Sequence, residues 1–125
     1  MRANAGRFAV AELSIVSSEL IVHLSPLEKA EAAHGDLRFP TSSITNITVL
    51  DNAIQAVHGL RAPGAEIPGF LAVGTFRGLT SKIFAAIHHS APRGVKIDLE
   101  GEKYDTLVIG CEDPEAIAEL IRRQS

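Results

Sequence analysis

The chain has 125 residues, 46% of them hydrophobic and 22% charged, with a formal net charge of −3. That length suits one domain around one hydrophobic core, and the composition is that of an ordinary globular protein. The negative balance excludes the basic stripe of a nucleic-acid binder, no apolar run approaches the ~18 residues of a membrane-spanning helix, and a single cysteine, Cys111, cannot close an internal disulfide, as suits a reducing compartment.

Residues 1–7 are expected to form a flexible N-terminus and residues 8–125 a single cytoplasmic domain. Glu12 and Ser14 interrupt the apolar stretch that a secretory signal would need. Phe8 to Val16 reads as a first strand. Glu19 to Leu24 reads as a second, with Leu20, Val22 and Leu24 on one face and Ile21 and His23 on the other. Ser17-Ser18 between them suits a tight hairpin turn. Leu27 to Ala33 is rich in helix formers but short. Gly35 to Phe39 and Ile44 to Leu50 are the next strands, the first stopped by Pro40, which cannot donate to a ladder. The segment from Asp51 to Ala65 is the least regular, with a brief helix possible over its Ala-Ile-Gln-Ala-Val-His run.

Gly69 to Phe76 predicts a strand, and Gly74 within it points to a bulge or a close backbone approach. After a turn at 77–80, Ser81 to Ile87 predicts another. Val95, Ile97 and Leu99 alternate against Lys96, Asp98 and Glu100, the pattern of a half-buried strand, and Tyr104 to Gly110 predicts the last strand. A helix is expected from about Pro114 to Arg123. Asp113 can cap it, Pro114 fits its first position, Glu115 and the two terminal arginines match its dipole, and Ile117, Leu120 and Ile121 form its apolar stripe.

Several segments carry a resemblance. They are Arg61-Ala62-Pro63-Gly64 with Pro68-Gly69, then Ala72-Val73-Gly74-Thr75-Phe76-Arg77, Lys82-Ile83-Phe84-Ala85-Ala86, Arg93 to Leu99, Tyr104 to Ile109, and Asp113-Pro114-Glu115-Ala116. From Phe8 onward the chain resembles the bacterial pleckstrin-homology-like domains of actinobacterial type. The resemblance implies a mainly β fold with one C-terminal helix: a barrel of seven to eight antiparallel strands in two orthogonal sheets, capped by an amphipathic helix. It also implies self-assembly as one use of the fold. Eukaryotic relatives bind phosphoinositides through a basic loop between the first two strands. Here that loop is Ser17-Ser18, without Lys or Arg, so phosphoinositide membranes are not an expected partner.

The residues give no reaction class. Gly64 to Gly69 lacks the Lys-Ser/Thr ending of a phosphate loop. His23, His34, His58, His88 and His89 show no metal-ligand spacing, and no metal or cofactor is expected. Cys111, before the helix, is the best nucleophile on offer, but flanking carboxylates oppose its thiolate and a small core residue is the plainer role. Arg77, Lys82, Arg93, Lys96 and Lys103 either form a modest basic patch or are solvated positions interleaved with acids. The expected function is therefore a non-enzymatic binding or assembly module, acting on a protein partner or as a homo-oligomer. The alternative is a small-molecule or lipid site at the open end of the barrel, and an enzyme using Cys111 or a histidine stands last. The candidate binding residues are Arg61, Gly64, Gly69, Arg77 and Lys82. For Pro and Gly at 63–64 and 68–69, shaping a long loop is the plainer role.

Overall fold

The computed structural model describes residues 12–23, 37–57, 70–78, 81–88 and 92–124. Alternating apolar residues build β1 (Glu12–Val16) and β2 (Glu19–His23), which pair antiparallel through the Ser17-Ser18 turn. Both turn serines have positive φ, 52° and 64°, the backbone of a two-residue hairpin whose twist matches its strands. β3 (Leu37–Pro40) pairs with β2 and completes a three-stranded sheet in the order β1-β2-β3. The three-residue 3-10 corner Thr41–Ser43 then turns the chain into β4 (Ile44–Leu50), the first strand of a second sheet.

The second sheet adds β5 (Phe70–Arg77), β6 (Lys82–His88), β7 (Gly94–Leu99) and β8 (Thr106–Gly110), in the order β4-β7-β8-β6-β5. The last strand in sequence thus lies in the middle, between two strands that precede it. Antiparallel pairing throughout was expected, and here it fails: β8 is antiparallel to β7 but parallel to β6. The cause is burial. Every residue of β8 is buried, and a strand buried on both faces belongs at a sheet centre with layers on either side. β7, which keeps the half-buried Lys96 and Asp98 on one face, lies beside the edge strand β4. The described strands form two sheets and no closed barrel is found among them.

Two apolar clusters flank the second sheet. The larger joins Leu20, Val22, Leu37 and Phe39 of the small sheet to Phe84, Val95, Ile97, Leu107 and Ile109 of the large one. The smaller lies on the opposite face, where Phe76, Ile83, Ala85, Ile87 and Val108 meet Ala53 and Val57. Residues 51–57, after β4, thus cover that face, with a 3-10 turn at Ala53–Ala56. Gly74 takes φ 122°, which side chains other than hydrogen rarely tolerate; the irregularity in β5 itself falls earlier, between Phe70 and Ala72. Gly94 faces Gly110, and a Cβ there would stand 2.2 Å from the Ile109 carbonyl oxygen.

Helix α1 (Pro114–Gln124) closes the larger cluster. Asp113 Oδ1 accepts the Ala116 N–H at 3.2 Å, the expected N-cap. The buried stripe is not the expected one. Ala118 and Ile121 are buried and Ile117 packs beside them, while Leu120 is 39% exposed. Leu120 sits about 100° around the helix from Ile121, beyond the arc facing the sheets. No helix among the described residues is long and apolar enough to cross a membrane. The helix candidate at 27–33, the strand start at 8–11, and the N-terminal segment 1–7 lie outside the described residues.

The helix assignment predicts a contrast. Ile121→Ala removes a side chain that is 1% exposed and is expected to cost about 2–5 kcal/mol. Leu120→Ala is expected to stay within about 0.5 kcal/mol of the parent. Urea unfolding of the two variants checks this directly.

Candidate functional site

Two of the sequence-derived candidates, Arg77 and Lys82, are directly opposite one another at the end of the β5–β6 hairpin. The others, Arg61, Gly64 and Gly69, lie outside the described residues, as do His34, His58 and His89. The phase of the ladder follows from two sets of hydrogen bonds. Gly78 N–H donates to Ser81 O across the turn at 3.1 Å. Lys82 N–H donates to Asp105 Oδ2 at 2.8 Å, and Asp105 N–H donates to Lys82 O at 2.8 Å. The Lys82 backbone therefore points away from β5, so Arg77 and Lys82 form a non-hydrogen-bonded pair, the type whose side chains approach most closely. By the same alternation, the N–H and C=O groups of Val73, Thr75 and Arg77 point away from β6, toward the outer edge of the sheet.

Tyr104 forms the floor of this corner. It is 1% exposed and packs edge-on against Phe84, with ring centroids 5.7 Å apart and planes at 62°. Its hydroxyl lies 3.2 Å from Thr75 Oγ1. The Lys82 ammonium stands 5.3 Å from the ring centroid, a cation–π contact worth about 0.5–1 kcal/mol at a partly exposed site. Arg77 is exposed and Lys82 half-buried, and neither forms an ion pair among the described residues. Two cations directly opposite in a sheet repel one another. The Tyr104 ring eases that for Lys82 only. With Arg77, Lys82 and the Thr75 hydroxyl on one face, the chemistry of the corner suits an anionic group.

The other basic residues do not join this corner. Arg93 donates to Glu115 Oε2 at 2.5 Å and to Asp51 Oδ1 at 3.4 Å, tying the chain before β7 to the first turn of α1 and to the end of β4. Lys96 pairs with Asp98 at 3.6 Å. Hydrogen bonding to Arg93 lowers the pKa of Glu115. Cys111 packs against the larger cluster. Burial, with Asp113 and Glu115 adding to it and Arg93 opposing, pushes its thiol up to about 12, so it stays protonated at neutral pH. Ser14 Oγ lies 2.9 Å from His23 Nε2 across β1 and β2, a cross-strand link on the face of the small sheet opposite the core. Among the described residues no three metal-ligating side chains cluster.

The sequence did not single out Tyr104, Thr75 or Asp105. Tyr104 is the chain's sole tyrosine, and a lone tyrosine just before a strand with the run Leu107-Val108-Ile109 is a signal for a buried ring with a placed hydroxyl. No protein family, no curated protein and no solved structure matches the chain.

Two outcomes are expected. Iodoacetamide at pH 8 should alkylate Cys111 far more slowly in the native protein than in urea; rapid native labelling would show an ionised, accessible thiol. The Arg93–Glu115 pair should show acid linkage. Because the folded-state pKa of Glu115 is depressed, its stabilisation is present above the unfolded carboxylate range and is lost as pH falls through the folded value. Glu115→Gln should therefore lower Tm slightly at neutral pH and melt like the parent in strong acid.

Proposed function

We propose that this chain is a non-enzymatic binding module that recognises protein by strand addition at β5, the added strand belonging to another protein or to a second copy of the chain. The observation that carries this is the ladder phase of β5: three successive outward-facing residues, Val73, Thr75 and Arg77, present backbone donors and acceptors along the edge strand of the five-stranded sheet. Such a row gives affinity through main-chain hydrogen bonds, while alternate side chains give selectivity. The protonated Cys111 supports the non-enzymatic assignment, since the best nucleophile in the chain is withheld from chemistry. Two sheets followed by one closing helix are compatible with the pleckstrin-homology-like resemblance, although the parallel β6–β8 pair departs from the antiparallel barrel that the resemblance implies. A small anionic ligand is the second reading, favoured by the cation pair over Tyr104.

Strand addition predicts a specific pattern of amide protection. As protein concentration rises, or as an extended peptide is added, the N–H groups of Val73, Thr75 and Arg77 should exchange more slowly, while exposed turn amides stay unchanged. Light scattering should report the matching rise in mass for self-association. Val73→Pro removes one outward N–H and leaves the β6 ladder intact, so it should keep the parent's circular dichroism and lose the protection. Unchanged exchange at all three amides, at every concentration and with peptide, would overturn the assignment.

A further inference from the structure

We propose that Arg77 and Lys82 clamp the carboxylate of an acidic residue on the docked strand, so that the partner of β5 is an acidic extended segment. This rests on strand addition at β5 and names its chemistry. A residue paired opposite Arg77 on a new outer strand projects its side chain to the same face as Arg77. That face carries Thr75, Arg77 and Lys82 together, because Thr75 is two residues before Arg77 and Lys82 is its cross-strand partner. Arg77 thus offers the docked residue its backbone and its guanidinium at once, and the planar fork suits a carboxylate. Lys82 is the second arm. Its ammonium lies over the Tyr104 ring, and that ring reaches β5 through the Tyr104 hydroxyl and Thr75.

Charge makes the choice of occupant. The chain is acidic overall, at −3, yet two cations meet here with no carboxylate paired to either among the described residues. Asp105 lies beside them, but its Oδ2 accepts the Lys82 backbone N–H and forms no ion pair with either cation. A docked acid would turn the repulsion across the pair into attraction to a shared anion. An apolar or basic residue in that register would leave the repulsion in place, so the clamp also fixes the register of the added strand.

The test uses two labelled synthetic heptapeptides of alternating Thr and Val, one with a central Glu and one with Gln there. The Glu peptide should bind the parent about tenfold more tightly, the scale of one charge-assisted hydrogen bond, and the preference should shrink with added salt. Arg77→Gln and Lys82→Gln should each reduce the ratio of Glu-peptide to Gln-peptide affinity. Equal binding of both peptides, with the β5 amides still protected, would overturn the clamp and leave strand addition standing. Failure of both peptides, with no protection of those amides, would remove both. Binding of inorganic phosphate or phosphatidylserine vesicles that is lost in Arg77→Gln, with no preference for the Glu peptide, would show a general anion or membrane site and overturn the acidic strand.

Discussion

Burial of β8 on both faces is the constraint on which the large sheet depends. Leu107 and Ile109 enter the cluster beneath the small sheet and α1, while Val108 enters the cluster beneath Ala53 and Val57. Each large aliphatic side chain withdrawn from water contributes about 1.5–3 kcal/mol, and five residues with no exposed face can be accommodated only between two neighbours and two layers. The strand therefore occupies the centre, and β6 and β7, consecutive in sequence, are held apart by it.

The candidate site is a by-product of that insertion. Asp105, immediately before β8, meets the backbone of Lys82 because β8 runs parallel to β6. That contact orients the Lys82 N–H and C=O toward β8 and fixes which face of each residue in the hairpin looks outward. Tyr104, one residue earlier, is swept beneath the same hairpin and reaches Thr75. The surroundings of Lys82 and Thr75 are thus set by a core strand, which lies two positions from β5 in the sheet.

Much of the local structure was legible in the residues. β4 lies where its alternating pattern placed it, β7 within a residue of its pattern, and Ser17-Ser18 is a hairpin turn. Asp113 and Pro114 begin the helix as capping chemistry requires. What resisted was neighbour order. β6 and β8 are apolar on both faces, so neither a buried face nor a partner can be read from their alternation. Leu120 shows the same limit on a helix: an apolar residue at a stripe's rim has the composition of the core and the address of the surface. Arg77 and Lys82 were visible as charges, but their opposition depends on the hairpin register that the Gly78–Ser81 turn bond closes. Arg61, Gly64 and Gly69 fall outside the described residues.

The corner at Thr41–Ser43 has a mechanical consequence. Thr41 is bound to Ser18 O through both its N–H and its hydroxyl, at 3.0 and 3.2 Å. Two residues on, Ser43 accepts the Glu100 N–H at 2.9 Å and donates to Glu102 Oε2 at 2.5 Å. One short segment is therefore latched to the hairpin tip of the small sheet and to the β7–β8 turn of the large one. Sliding the sheets past each other would have to break at least one of these latches, so the corner resists shear as well as joining the strands. The latch on the large sheet ends at Glu102, in the same β7–β8 turn that carries Asp105, so one turn both fastens the small sheet and aligns the Lys82 backbone.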